Sequence, residues 1–430
     1  MTTELTRFTQ WAAERPQKRY TALMGMLTDE QGLAESFARQ PLRKAVGVDG
    51  IGKVDYEREL AGNLADLSAR LRRMGYRPKP SRRVYVPKAN GGKRPIGVPC
   101  FEDRIVEDRL SRILQAIWEP QFRGSSYGFR PGRNAHQALA RLKQIIVGER
   151  TQWLVEVDIR NFFGSVSHEH MRRFVAHRVG DKNLLRLIQR FLKAGVLEDG
   201  AFSVGEEGTP QGNLVSPVLS NIYLHYCVDE WFERRFARQC EGKAFLVRYC
   251  DDFVACFERE ADARAFEPEL KERLAKFSLE VEPTKSALIR FGDLAPVLCK
   301  RDGLRRPATF SFLGFTHYWH VRSNGRTVLR HKTQGTRMRK KLAALGQRLK
   351  SMRTLGAAQM QTYVRQHVQG HLQYFGVSGN SRCMQSYVYQ VKRLLFKWLN
   401  RRSQRRSFNW ARYDQWLSTW MPRPRIVHTL

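Results

Sequence analysis

Two β-rich runs, Phe245–Tyr249 and Phe253–Phe257, are separated only by Cys250-Asp251-Asp252. So short a spacer leaves room for a tight turn and little else. The segment therefore predicts an antiparallel hairpin with adjacent carboxylates at its tip. Like charges in that position repel, and they are tolerated when solvated or when a cation neutralises them. Tyr-x-Asp-Asp alone is short enough to recur by chance, and only an acid from elsewhere in the chain would give it weight.

Asp158 supplies it. Trp153–Asp158 (WLVEVD) alternates as a strand does and ends on that acid, inside EVDIRNFF. If this strand neighbours the hairpin in a sheet, Asp158 meets Asp251. Carboxylates from adjacent strand tips can hold two Mg²⁺ ions about 3.5–4 Å apart, the arrangement that serves phosphoryl transfer. One ion would acidify a primer 3′-hydroxyl and the other would bind departing pyrophosphate. Mg²⁺ suits the site because its ligands are oxygens and it leaves room for substrate phosphates. The competing reading is an acidic surface turn and an unrelated acid at a strand end.

Four further segments weigh against that competitor. Residues 84–99 read VYVPKANGGKRPIGVP, a Gly-rich turn between Lys88 and Arg94. Two cations flanking exposed backbone donors make a cradle for a triphosphate. Residues 127–134 read YGFRPGRN, an Arg/Gly element centred on Arg130 and suited to phosphate or template. Residues 208–222 read GTPQGNLVSPVLSNI, an extended Pro/Gln/Gly turn that enters a helix. Residues 310–315 read FSFLGF, an apolar strand with a glycine where another backbone can approach. Leu110–Trp118 reads as an amphipathic helix. The alternation of helical and strand patterns through the first 330 residues predicts an α+β or α/β domain.

Charge is distributed unevenly. The 430 residues hold 75 Lys+Arg against 41 Asp+Glu, a formal +34. Residues 331–430 contain 20 of the basic residues and a single acid, Asp414. A boundary near 330 follows. Met338, Leu342, Leu345, Leu349 and Met352 recur at helical spacing, with Arg339, Lys340, Lys341, Arg348 and Lys350 between them. A second helix runs through Tyr363, Val364, His367, Val368, Leu372 and Phe375 to Gly376, and Gly379-Asn380 breaks the chain. A third runs through Val391, Leu394, Leu395 and Trp398. Solvated faces usually mix charge signs, so a basic face almost without acids predicts contact with nucleic acid.

Other classes fall away. Hydrophobic residues make up 42% of the chain, enough for real cores and against wholesale disorder. No apolar run reaches the ~18 residues of a membrane span, and the N-terminus lacks the pattern of a secretory signal. Seven cysteines (100, 227, 240, 250, 256, 299 and 383) show neither CxxC nor regular spacing. They read as packed free thiols in a reducing compartment.

Taken in order, these segments resemble the reverse transcriptases encoded by group II introns, over nearly the whole chain from about Ala45. AVGVDGI (45–51) looks like the family's N-terminal extension loop. VPKANGGKRPIGVP and DRIVEDRL look like its fingers. SYGFRPGRNAH, EVDIRNFF, GTPQGNLVSPVLSNIYL, RYCDDF, EPTKS and FLGF look like its successive polymerase blocks. HLQYFGVSGN, KRLLFKWLNRRSQRR and PRPRIVH look like its thumb and maturase segment.

The resemblance implies an α+β right-hand polymerase, with fingers and a mainly antiparallel palm sheet, followed by an α-helical thumb/maturase domain. It sets an N-terminal helical extension at 1–44, fingers at 45–125, palm at 126–330 and thumb at 331–400. A basic nucleic-acid-binding segment follows at 401–430, with Arg401, Arg402, Arg405 and Arg406. Asp158, Asp251 and Asp252 would be the catalytic acids. Asp158, Asp251 and Asp252 would serve the metals, with the Ile159 carbonyl as an extra ligand. Lys88 and Arg94 would hold the triphosphate of a dNTP, and Gln211 would contact the nucleotide. Phe312, Leu313, Gly314 and Phe315 would form the primer grip, and Lys285 lies in a family block. Phe163 falls at the position of an aromatic gate that excludes a ribose 2′-hydroxyl, while Phe162 reads as core.

Two residues depart from the family pattern. Cys250 stands where alanine is usual, and Asn213 stands where Gly or Ser is common. The tail has too few acids for RNase H chemistry. With the single cysteine Cys383 it also lacks the Cys/His support of an appended HNH endonuclease. The resemblance is therefore to the endonuclease-lacking type, which would prime from existing nicks, forks or single-stranded ends. Expected partners are template RNA, intron RNA, primer or target DNA and dNTPs, without a membrane, in a bacterial cytoplasm. Two alternatives remain open at this point. One is a host-recruited enzyme of DNA repair or antiviral defence, and the other is an RNA-binding splicing factor without polymerase activity.

Overall fold

The computed structural model describes residues 3–87, 92–198, 201–203, 208, 212–284, 286–402 and 408–430. By internal contacts the chain forms two units. The first comprises Met1–Ala138 and Val155–Leu288, the second Leu139–Leu154 and Ile289–Leu430.

The first unit is organised around the helix Phe101–Trp118. Its second half was expected to be amphipathic, yet nearly the whole helix is buried. Helices Thr3–Glu14, Leu23–Thr28, Glu30–Ala38 and Ser216–Leu224 pack against it. Charges that a sequence pattern assigns to solvent instead find partners. Arg112 pairs with Glu35 at 3.1 Å, and Arg109 donates to the Met26 carbonyl at 3.0 Å. Asp103 accepts from the Tyr76 hydroxyl and from the Lys79 N–H. Most buried polar groups in folded proteins are bonded in this way.

A single acid, Asp181, starts two helices of this unit. Its Oδ1 accepts from the Asn183 and Leu184 N–H groups that open Lys182–Leu192. Its Oδ2 accepts from Leu23 and Met24, which open Leu23–Thr28. Both ends gain a cap and a negative charge at the positive end of the helix dipole.

Two sheets belong to this part of the fold. In the first, β1 (Ser81–Pro87) pairs antiparallel with β2 (Lys93–Val98), placing Val86 opposite Arg94. The second contains β3 (Trp153–Asp158). The first is completed by β4 (Val196–Glu198) and β5 (Ala201–Ser203), in the order β2-β1-β4-β5. The second adds β6 (Ala244–Tyr249), β7 (Asp252–Phe257) and β8 (Ala287–Arg290), in the order β6-β7-β3-β8. The expected strand at 153–158 and the expected hairpin are both present. Helix Glu260–Ala275 packs on β7, and a ring cluster of Trp231, Phe232, Phe236, Phe257 and Phe266 fills the space beneath.

In the second unit β9 (Phe310–Phe312), β10 (Phe315–Val321) and β11 (Thr327–Thr333) form a sheet in the order β11-β10-β9. Four helices follow: Gly335–Ser351, Ala357–Phe375, Ser381–Leu399 and Trp410–Ser418. They enclose a core that includes Leu345, Leu349, Val364, Leu372, Val391 and Leu395, the seams expected from spacing. Removing such side chains from water supplies roughly 25 cal/mol per Å² of apolar area. Among the described residues no helix is long and apolar enough to cross a membrane.

Candidate active site

The turn between β6 and β7 is shorter than the three residues the sequence suggested. Tyr249 pairs with Asp252, so only Cys250 and Asp251 lie between the strands. Cys250 has φ 60°, a left-handed conformation. Two-residue hairpin turns need positive φ because it matches the twist of the strands. For a residue with a Cβ it costs about 1–2 kcal/mol. Asp251 and Asp252 are half-buried at the tip. β3 is hydrogen-bonded to β7, so the strand that Asp158 ends runs beside the strand that Asp252 opens. The end of β3 is pinned in turn. The Asp158 carbonyl accepts from Glu282 N–H at 2.8 Å, and Ile159 bridges to Val281.

Cys250 turns its side chain inward and is only 7% exposed. Burial, and then the Asp251 charge, push its thiol up to about 12, so it stays protonated. Its sulfur is covered and pressed against the Gly128 backbone, so it presents no open face to an ion. The donors that remain at the tip are carboxylate oxygens, which fit a hard divalent cation. Among the described residues no group of three or more His, Cys, Asp or Glu side chains could hold a metal ion, so Asp158, Asp251 and Asp252 do not make a ligand set by themselves. Two adjacent carboxylates that leave coordination positions open suit an ion that also takes substrate oxygens.

The turn is held by residues that the sequence did not single out. Arg248, the last residue but one of β6, is fully buried and pairs with Asp229, also fully buried. Its guanidinium further donates to Asn221, to Ser126 and to the carbonyl of Cys250. On the other side lies Gly128 of YGFRPGRN. A Cβ there would sit 2.4 Å from the Cys250 sulfur and 2.7 Å from its nitrogen. The one available signal was Arg248 itself, a charge inside an otherwise apolar strand.

Arg130 is a correction. It was expected on phosphate or template, but it is buried, with its guanidinium bonded to Glu119 and to the Arg123 and Ser126 carbonyls. It braces the loop and has no face for a ligand. Phe129, at φ 54°, is exposed in this loop, as are Pro131 and Asn134.

Phe162 and Phe163 differ in burial. Phe162 is buried, Phe163 is half-buried, and their rings meet edge to face at 5.3 Å. The two described glycines of the Pro/Gln/Gly turn tie it to its surroundings. Gly208 lies against the Phe163 and Gly164 backbone. Gly212, at φ 118°, lies so close to Gly97 of β2 that a Cβ would stand 2.2 Å from its carbonyl oxygen. Only glycine fits there. Asn213 is buried, and its Oδ1 accepts from the Ser81 hydroxyl at 3.3 Å. Glu107 of the central helix accepts from the Leu214 N–H at 2.6 Å. Burial raises that carboxyl to about 8. Arg94 is exposed on β2. Lys88, Gln211 and Lys285 lie outside the described residues.

In the second unit FSFLGF is a hairpin and not the single strand expected. Phe312 pairs with Phe315 across Leu313 (φ 49°) and Gly314 (φ 81°). Both central residues are left-handed, as the tightest twisted hairpins require. Tyr374 donates to the Leu313 carbonyl at 2.8 Å, and Gln334 N–H donates to that of Gly314. A groove of about 720 Å³ in this unit is lined by Lys143, Arg322, Arg330, Lys332 and Arg382, with Tyr318 and no acid. Arg401 is exposed and Arg402 half-buried, while Arg405 and Arg406 lie outside the described residues.

Residues 86–317 match the family "Reverse transcriptase (RNA-dependent DNA polymerase)". Over 246 residues the chain is 37% identical to Protein YkfC of Escherichia coli (strain K12), covering 56% of this chain and 63% of that one. Over 151 residues it is 42% identical to the group II intron-encoded protein LtrA of Lactococcus lactis subsp. cremoris, covering 35% of this chain and 25% of that one. An uncharacterized 91 kDa protein in the cob intron of Schizosaccharomyces pombe is 40% identical over 154 residues, 36% of this chain and 19% of that one. The chain thus spans less than two thirds of each of these relatives. With more than half of its own length matched, the chain belongs to the reverse transcriptase family.

Proposed function

We propose that this chain is an RNA-directed DNA polymerase that extends a primer 3′-hydroxyl with dNTPs, and that it binds intron RNA and assists its splicing. One observation carries the polymerase half: the strand ended by Asp158 is hydrogen-bonded beside the strand opened by Asp252, with Asp251 in the turn between β6 and β7. In this reading Asp158, Asp251 and Asp252 hold divalent metal, two Mg²⁺ ions, with the Ile159 carbonyl as a further ligand. Such ions, when bound, stabilise the attacking and leaving oxygens of an in-line displacement.

Arg94 and Lys88 hold the triphosphate, and Gln211 contacts the nucleotide. Phe163 stands half-exposed on the short helix after β3, where its ring would exclude a 2′-hydroxyl. The exposed Phe129 offers a face for a base to stack on. The turn Leu313–Gly314 grips the primer. Residues 45–125 act as fingers, 126–330 as palm and 331–400 as thumb, with 401–430 as a basic segment. The acid-free groove and the charge of the tail support contact with a phosphate backbone. Similarity to proteins named for the introns that encode them supports the splicing role.

The test is primer extension on an RNA template with Mg²⁺ and dNTPs. Product that disappears in Asp251→Ala/Asp252→Ala supports the polymerase. Tight RNA binding without product would leave a splicing factor. Phe163→Ala should admit NTPs, and a variant as selective as the parent would remove the gate. Unchanged splicing of the intron at low Mg²⁺ would remove the maturase half.

A further inference from the structure

We propose that Arg248 and Asp229 form a charge-neutral clamp that sets the position of the metal-binding turn, with Arg248 as a positioning residue for the polymerase reaction. The inference rests on the polymerase reading above and adds residues that touch neither substrate nor metal.

The bonding of Arg248 is complete. Its Nε donates to Asp229 Oδ1 at 2.7 Å. Its Nη2 donates to Asp229 Oδ2 at 2.6 Å and to the Ser126 hydroxyl at 2.7 Å. Its Nη1 donates to Asn221 Oδ1 at 3.2 Å and to the Cys250 carbonyl at 3.0 Å. A guanidinium has five N–H groups in a rigid fork, and each has an acceptor here. Asn221 extends the network, because its Nδ2 donates to the Gly128 carbonyl at 2.8 Å. Gly128 is the residue pressed against Cys250 from the other side. The left-handed residue that precedes Asp251 is therefore held at its carbonyl by one group and at its sulfur and nitrogen by another.

Stability gives little reason for such a pair. Buried ion pairs are often no more stabilising than apolar side chains of the same volume. Position gives a better one. A turn in an unfavoured backbone conformation stays put only when its surroundings over-determine it. Catalysis by bound metal tolerates little displacement of the ligands. Charge explains the second partner. An arginine alone beneath this tip would repel a divalent cation, and Asp229 cancels that charge where water cannot screen it. Asp229 lies in a π-helical turn, His225–Asp229. Such turns are rare in helices and concentrate at functional sites.

Three variants test the clamp: Arg248→Lys, Asp229→Asn and the apolar pair Arg248→Met/Asp229→Leu. Each is measured for thermal midpoint, for kcat and dNTP KM in primer extension, and for Mn²⁺ affinity by electron paramagnetic resonance. The apolar pair removes both charges together, so it is expected to keep a midpoint near the parent's. Its kcat should fall on the order of 100-fold, with KM little changed and Mn²⁺ bound more weakly. Arg248→Lys keeps the charge but not the fork and should move the same way. Asp229→Asn should weaken Mn²⁺ about tenfold or more by leaving the cation unpaired. An apolar pair with the parent's kcat and Mn²⁺ affinity would overturn the clamp. So would a lower midpoint with unchanged kcat per folded molecule. If the parent extends no primer, the polymerase reading fails on its own, and the Mn²⁺ measurements still decide the clamp.

Discussion

The molecule contains two hairpins of the same length held in different ways. Each places two residues between its strands, Cys250-Asp251 in the first unit and Leu313-Gly314 in the second. Each puts a residue with a Cβ into the left-handed region. The acidic turn is held by a fully buried ion pair and by a backbone pressed on its sulfur. The apolar turn is held by neutral bonds, from the Tyr374 hydroxyl and the Gln334 N–H. A neutral bond costs little to lose, whereas a broken interior pair strands a charge. The difference matches what each tip must carry. If the acidic tip gathers cations as proposed, it would need a rigid floor of zero net charge, and a turn of leucine and glycine would not.

The comparison can be broken most forcefully at Asp229. Asp229→Leu alone should cost about 3–5 kcal/mol in a denaturant titration, because Arg248 is left buried without its counter-charge. Gly128→Ala comes next, at about 1–3 kcal/mol, since the turn above it has to shift. That variant should also lower primer extension beyond the loss of folded protein.

A third test uses titration. The Glu107 carboxyl is raised by burial from an ordinary 4.5 to about 8. Its share of stability is therefore fully present below about pH 4.5 and is lost as pH rises through about 8. Three histidines of the second unit, His331 and His371 buried and His367 half-buried, run the other way. Burial lowers His331 and His367 to about 4 and His371 to about 3. Their share is present above the ordinary 6.5 and is lost as pH falls through those values. Glu107→Gln should remove a slope of up to about 1.4 kcal/mol per pH unit between pH 4.5 and 8, read from denaturant midpoints. The smallest effect is expected at Tyr374→Phe, about 1 kcal/mol, measured the same way. A larger loss there than at Asp229 would invert the comparison.

What could be read from the sequence was local. WLVEVD alternates, and two β-rich runs around a short spacer leave only a hairpin, so the strands and their acids were visible. The tail seam from Leu345 to Met352 was visible for the same reason, since one face repeats at helical spacing. Phe162 read as core, and it is buried. What was not visible depends on partners far along the chain. Arg130 reads as a free cation until Glu119 is folded beside it. The charges of Phe101–Trp118 read as a wet face until Glu35, Tyr76 and Leu214 close on them. FSFLGF reads as one strand because leucine is a poor prospect for a left-handed turn, and tertiary contacts override that preference. The basic tail also hid an apolar purpose. Phe396 stacks on Trp410 at 3.9 Å, and Tyr413 reaches back to the Lys392 carbonyl.

The π-helical turn at His225–Asp229 has a consequence for how this chain tolerates changes in length. Its Glu230 N–H reaches back five residues to the His225 carbonyl, where an α-helix would reach four. The turn therefore holds one residue more than a regular helix needs. Deleting any single residue from it should give a tidier helix and a displaced Asp229. Each residue of an α-helix advances about 100° around the axis, so the side chain at the end of the turn would swing away from β6. Insertions and deletions are usually tolerated in loops and costly in helices. Here the helix has a spare residue, and its removal would read as harmless in any account of helical propensity.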